Sequence, residues 1–241
     1  MGPRYPSLAQ PPLGFARTGA SAESAADLLA AFAGALALGS PGLAAEAWLT
    51  ADRRVVLHDG PAVRRGLRRR PLAEMTRSEV PRHIPDLGEL YDRCGTGFEL
   101  ALAVGDEATA EAVVAAAGDA GAGAVGRLWL CPPDWRQAAS WRELSDEAHL
   151  VDVTRMRRIT EGPERRAAAL AAAGIDAISL PESDWSAGLT TLFHRFERLT
   201  FAGAVQHRRQ MDALLAMGID AVSSDRVERM VEALAALPTP Q

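Results

Sequence analysis

The sequence predicts an α/β fold, a (β/α)8 TIM barrel in a single domain, and three observations carry that expectation. From Leu13 onward, short apolar runs alternate with alanine-rich stretches of helical length. Ala-Ala-Gly-Ile-Asp-Ala-Ile-Ser (172–179) and Ala-Met-Gly-Ile-Asp-Ala-Val-Ser (216–223) repeat one device, a glycine closing a helix before a buried parallel strand. Eight such units fit within 241 residues. An open doubly wound sheet is the alternative, but no glycine-rich phosphate loop follows the first strand.

The first twelve residues hold four prolines and no periodicity, so residues 1–12 are expected to be an irregular or disordered tail, and 13–237 the barrel domain. Leu13 to Arg17 reads as the first strand, with a helix from about Ser24 to Leu38. Leu43 to Leu49 is the second strand, and Arg54 to His58 a short extension. Residues 60–83, rich in Arg, Pro and Gly, read as a long connection. A short helix follows over Ile84 to Arg93, opening on Pro85 and Asp86.

Later units are more regular. Phe98–Val104 is a strand, Glu107–Ala117 a helix, and Val125–Cys131 a strand backed by a helix near Trp135–Leu144. Ala148–Val153 is a strand and Pro163–Ala173 a helix with proline in its first turn. Ile175–Leu180, Leu199–Ala202 and Ile219–Ser223 close the ring, each with a helix behind it.

Composition narrows the function. All 26 basic residues are arginine, which excludes lysine chemistry such as a Schiff base. A net charge of −5 argues against general affinity for nucleic acid or anionic membrane. The longest apolar run, Leu28 to Leu38, is too short to span a bilayer. It starts too far along, without a basic leader, to be a signal peptide. Two cysteines, Cys94 and Cys131, make neither a disulfide framework nor a zinc cage, which suits the cytoplasm.

Strand polarity selects the candidate site. In Phe98-Glu99-Leu100-Ala101-Leu102-Ala103 the large residues face the helices, so Glu99 faces the interior beside small alanines. On the second strand Ala44, Glu46 and Trp48 share one face. Two inward carboxylates need a cation or an arginine to neutralise them.

At these residues the sequence resembles the glycerophosphodiester phosphodiesterase family, from about Leu13 to Leu234. The segment Leu49-Thr50-Ala51-Asp52 through Val55-Val56-Leu57-His58-Asp59 resembles the family's stretch ending in His-Asp. Ile84-Pro85-Asp86-Leu87 resembles the start of its next helix. Gly218-Ile219-Asp220-Ala221-Val222 with Ser224-Asp225-Arg226 resembles its closing strand and turn. The resemblance implies two histidines as acid and base, three carboxylates around a divalent cation, and an arginine on the phosphate. It assigns His58 and Arg17 as catalytic residues, Arg17 also as a substrate-binding one, and Glu46 with Glu99 as a weak site for Mg²⁺ or Ca²⁺.

The family's motifs are thinned here. Phe15-Ala16-Arg17-Thr18-Gly19 stands for His-Arg-Gly, with Ala16 at the histidine. Ala44-Ala45-Glu46 stands for Glu-x-Asp, Glu99-Leu100-Ala101 for Glu-x-Lys, and Gly203-Ala204-Val205-Gln206 for Trp-x-x-Asn. The Pro-Glu-Asn-Thr motif is replaced near Ala25–Leu28. The expected activity is therefore binding of a small phosphodiester, with weak or no hydrolysis to glycerol 3-phosphate and an alcohol. A catalytically silent barrel serving as a binding or assembly module is the alternative.

Several residues keep two readings. Glu46 and Glu99 are either a residual metal pair or an ion pair with Arg17. His58 is either a proton-transfer group or a remnant. The run Arg64, Arg65, Arg68, Arg69 and Arg70 is either a solvated loop or an overhang steering an anion inward. His207, Asp184, Glu182 and the Asp152-Thr154-Arg155 group follow strands, and His207 is the best substitute for the missing histidine and a candidate substrate contact. Trp129 and Trp185 are expected to pack, and Asp59 to position a loop.

Overall fold

The structure, a computed structural model, describes residues 6–17, 28–65 and 68–237. Eight parallel strands close into a barrel: β1 (Leu13–Arg17), β2 (Gly42–Leu49), β6 (Glu99–Val104), β7 (Leu128–Cys131), β8 (His149–Val153), β9 (Ala177–Pro181), β10 (Leu199–Gly203) and β11 (Ala221–Ser224). Each pairs with its neighbour in that order, and β1 joins both β2 and β11, so no barrel edge is left open.

Helices follow the strands: α1 (Leu28–Ala37), α2 (Leu87–Cys94), α3 (Glu107–Ala120), α4 (Trp135–Trp141), α5 (Pro163–Ala172), α6 (Ala187–His194), α7 (Arg208–Ala216) and α8 (Val227–Ala235). The expected start of α1 at Ser24, and the replaced Pro-Glu-Asn-Thr stretch near Ala25, fall outside the described residues.

Alternation along each strand makes two cores. Outward residues such as Ala16, Leu43, Leu100, Leu102, Leu130 and Ile178 meet Phe32, Leu90, Val113, Leu170, Phe193 and Met230 from the helices. Inward residues Phe15, Trp129, Val151, Ala177, Phe201 and Ala221 form a smaller core inside the barrel. The repeated glycines are explained by backbone: Gly174 and Gly218 sit at φ 67° and 88°, ending α5 and α7 in the left-handed region.

Two segments carry more structure than the sequence reading expected. The connection over 60–83 contains an antiparallel hairpin, β4 (Ala62–Arg65) with β5 (Arg68–Pro71), and a third core of Val56, Val63, Leu72, Met75, Val80 and Ile84. A short strand β3 (Val55–Leu57) runs antiparallel to β2 and leads into this insertion. Residues 6–12 are irregular in backbone and are held down. The Ser7 hydroxyl and the Leu8 amide donate to Asp220 Oδ1 at 2.7 and 2.6 Å, at the N-terminal face of the barrel.

Candidate functional site

The C-terminal strand ends surround a cavity of about 360 Å³. Its lining follows from strand parity: Phe15 and Arg17 from β1, Ala44 and Glu46 from β2, Ala101 and Ala103 from β6, and Cys131 from β7. Val151 and Val153, Ser179, Phe201 and Gly203, and Ser223 with Asp225 complete the ring. TIM barrels ordinarily stack bulky residues in layers at such positions. Here Ala44, Ala101, Ala103 and Gly203 leave the space open. Below it, the rings of Phe15, Trp129 and Phe201 pack with centroids 5.0 to 6.3 Å apart and form a floor.

Charge is confined to the rim. Arg17 Nε lies 4.0 Å from Asp225 Oδ1, while Gln206 Nε2 donates to Asp225 Oδ2 at 2.9 Å. Glu46 Oε2 accepts the Gly60 amide at 2.9 Å, tying the loop after β3 to the mouth. Asp59, exposed, lines the cavity; His58, half-buried, is not among the lining residues. His58 Nδ1 is 2.8 Å from the Gly60 carbonyl, and the His58 carbonyl accepts from Trp48 Nε1 at 2.9 Å. A carbonyl only accepts, so the first contact puts the ring proton on Nδ1 and leaves the Nε2 lone pair free. That is the tautomer a general base needs.

Glu99 does not share this mouth. It stands at the start of β6, level with Gly42, whereas Glu46 is level with Ala103. Its carboxylate accepts from Trp129 Nε1 at 2.7 Å and pairs with Arg127 at 3.0 Å, and Trp129 in turn stacks on His149. The expected pairing of Glu46 with Glu99 is therefore corrected, both as a metal pair and as an ion pair bridged by Arg17. The barrel's length separates them, and each has its own donor.

Other candidates also resolve. His207 is exposed at the N-terminus of α7 and is not among the residues lining the cavity. Asp152 points outward to α5, where it pairs with the buried Arg166 at 2.7 Å; burial pushes its carboxyl up against the pull of that guanidinium. Glu182 accepts from Gln210 Nε2 at 2.5 Å, and Asp184 accepts the Met156 amide at 2.9 Å. The Thr154 amide donates to the Ser179 carbonyl at 3.0 Å. Ala16 is fully buried in the helix-facing core, turned away from the mouth. Trp185 packs in the outer core, with Nε1 on the Phe201 carbonyl at 3.0 Å.

Ser179, Ser223 and Asp225 are mouth residues that the sequence reading did not weigh as site groups. Strand parity held the signal: once Ala221 faces inward, Ser223 and Asp225 follow on the same side. Cys131 also lines the cavity, but burial pushes its thiol up to about 12, so it remains protonated at neutral pH.

A divalent cation does not fit this donor set. Among the described residues no three His, Cys, Asp or Glu side chains come together as a metal site. The neighbours of Glu46 on the inward face, Ala44 on its own strand and level Ala103 on β6, offer no oxygen.

Comparison with solved structures places this architecture. A Silicibacter pomeroyi protein assigned as a glycerophosphoryl diester phosphodiesterase superposes with a TM-score of 0.78 at 19% identity, over 97% of this chain and 95% of that one. The Thermotoga maritima glycerophosphodiester phosphodiesterase gives 0.75 at 16%, over 91% and 97%. An Oleispira antarctica phosphodiesterase, solved with its product sn-glycerol-3-phosphate, gives 0.75 at 16%, over 93% and 97%. The chain has the fold of the glycerophosphodiester phosphodiesterases along nearly its whole length. No family model and no curated protein matches its sequence.

Proposed function

We propose that this chain is a divergent glycerophosphodiester phosphodiesterase-like protein that binds a small phosphodiester in its barrel mouth and hydrolyses it weakly or not at all. One observation carries the reading: a fold shared end to end with these enzymes, with an arginine at the rim of an open cavity. Arg17 takes the phosphate through its guanidinium. His58 holds the proton-transfer position with Nε2 available, and Glu46 fixes the 58–60 loop that bears it. Any hydrolysis adds water across the phosphodiester, giving glycerol 3-phosphate and an alcohol. No step runs through a cation, because among the described residues no three His, Cys, Asp or Glu side chains come together to hold one. Among the described residues no helix is long and apolar enough to cross a membrane. Cys94 and Cys131 are free, which suits a reducing compartment such as the cytoplasm.

The silent binding module remains the second reading, favoured by the separation of Glu46 from Glu99. Calorimetry with sn-glycerol-3-phosphate and a glycerophosphodiester, in chelator and in Mg²⁺, tests the binding. The expected result is affinity that chelation leaves unchanged and that Arg17→Gln weakens by about tenfold or more. A parallel turnover assay separates the two readings: slow product release lost in His58→Ala supports the enzyme, and none at all the module. Absence of binding by either ligand overturns both.

A further inference from the structure

We infer that the barrel mouth selects its ligand by the charge on the alcohol: Glu46 and Asp59 seat a primary ammonium group, so the phosphodiester taken up is one whose alcohol carries an amine, of the 2-aminoethyl kind. The inference rests on the phosphodiester reading above and adds which ester the mouth prefers.

For a site that takes an anion, the mouth is short of positive charge. Arg17 is the only basic side chain among the described residues that line it, against three carboxylates, Glu46, Asp59 and Asp225. Asp225 stands beside the guanidinium, with Oδ1 4.0 Å from Arg17 Nε, and Gln206 donates to its other oxygen. Glu46 and Asp59 form no ion pair among the described residues. The Gly60 amide donates to Glu46 Oε2 at 2.9 Å, but a neutral amide does not cancel the charge. A cleft with low-dielectric walls focuses the field of such groups. A phosphodiester of a neutral alcohol adds one more negative charge to this rim, and an ammonium on the alcohol removes that repulsion.

The backbone holds the two acids at one end of the mouth. The 58–60 segment lies along the end of β2, where the His58 amide donates to the Glu46 carbonyl at 3.2 Å and the Gly60 amide to the Glu46 side chain. Asp59 lies between these two anchors and lines the cavity. Arg17 is level with Ala44, two residues before Glu46, which sets the Cα atoms of Arg17 and Glu46 about 8 Å apart. One small ligand therefore meets both, with its phosphate on the guanidinium and a cation a few bonds away on the carboxylates. Ala44 and Ala103 leave room beside Glu46, and the facing wall of Cys131, Val153 and Phe201 carries no charge.

An ammonium suits this pair where a divalent metal does not. Two carboxylates fall short of the roughly six oxygens that Mg²⁺ or Ca²⁺ takes, and no third acid, His or Cys side chain among the described residues joins them. A primary ammonium presents N–H donors that carboxylate oxygens accept directly. A trimethylammonium group has no N–H and is held instead by aromatic faces. The rings that line the mouth, Phe15 and Phe201, pack with Trp129 in the floor, below the rim where the acids stand.

Calorimetry in chelator with sn-glycero-3-phosphoethanolamine, sn-glycero-3-phosphocholine and glycerophosphoglycerol tests the inference. Wild type should bind the ethanolamine ester about tenfold more tightly than the glycerol ester, with the choline ester between them. The preference should shrink as NaCl is raised. Asp59→Asn should bring the ratio of ethanolamine to glycerol ester towards one, by weakening the first and strengthening the second. A merely displaced loop would weaken both. Glu46→Gln, whose amide oxygen still accepts from Gly60, should shift the ratio in the same direction. Equal binding of the ethanolamine and glycerol esters by wild type overturns the inference and leaves the phosphodiester reading standing. Tighter binding of the choline ester than of the ethanolamine ester does the same, as does an unchanged ratio in both variants. Binding of none of the three overturns the phosphodiester reading and the inference with it. The wild-type comparison needs no variant, so a variant that misfolds does not shield the inference.

Discussion

Glu46 and Glu99 point into the same barrel from opposite ends: the β2–β6 ladder sets Glu99 beside Gly42 and Glu46 beside Ala103, four residues further along. At about 3.3 Å per residue the separation along the strand is roughly 13 Å. The first carboxylate is satisfied by Trp129 and Arg127, the second by the Gly60 amide. Neither relies on the other, nor on a cation. The two acids belong to different functions, one to the barrel floor and one to the mouth loop.

Glu99→Ala should therefore act on stability alone. It strips the buried Trp129 indole N–H of its acceptor, a loss of about 1–3 kcal/mol. Thermal unfolding should fall by several degrees in a chain of this size, while affinity at the mouth stays the same. Unchanged thermal stability with lost ligand binding would give Glu99 a role at the site after all.

The same register predicts how the protein meets divalent ions. Millimolar Mg²⁺ or Ca²⁺ should leave the wild-type unfolding temperature where it is. Ala44→Glu combined with Ala103→Glu adds two carboxylates on the inward face beside Glu46. That variant should gain a cation-dependent rise in unfolding temperature, since a ligand bound only by the folded state stabilises it by mass action. A comparable rise in the wild type would show that the native mouth already recruits the ion.

Ala16 offers a contrasting case. The family resemblance makes it the place of a lost histidine, yet it is fully buried between β1 and the helices. Ala16→His should overpack that layer and cost about 1–3 kcal/mol, without raising phosphodiester turnover. A gain in turnover would mean that the end of β1 turns its face to accommodate the ring.

Residue periodicity made the barrel legible, and the limits of periodicity explain the misplaced acid. Leu100 and Leu102 against Ala101 and Ala103 gave the parity of β6 correctly, because alternation needs only one strand. The depth of Glu99 along the barrel depends on how β6 is registered against β2, and no single strand records that. The hairpin was hidden for another reason. In 62–71 its inward partner to Val63 is Arg70, so no hydrophobic alternation survives in β5, and the apolar residues that cover Val63 come from 72–84. His58 was singled out by its motif, whereas Asp225 acquired a role only through its nearness to Arg17.

The last prediction concerns the N-terminal face. Asp220 is fully buried and accepts from Ser7, from the Leu8 and Thr200 amides, from the Thr200 hydroxyl and from His194 Nε2. Burial would push its carboxyl up, but the hydrogen bonds from His194 and Ser7 outweigh that and hold it below the ordinary value. A carboxyl depressed on folding contributes its stability above the unfolded value, near 3.9, and loses it as pH falls through the folded value. Stability measured by urea unfolding should thus decline steeply below about pH 5, as the anchor of residues 7–9 is protonated. Asp220→Asn should be less stable than wild type at pH 7 and show a shallower acid limb, so that the two curves converge as pH falls. Parallel curves from pH 7 to 3 would show that the carboxylate's charge is not what ties the N-terminal segment to the barrel.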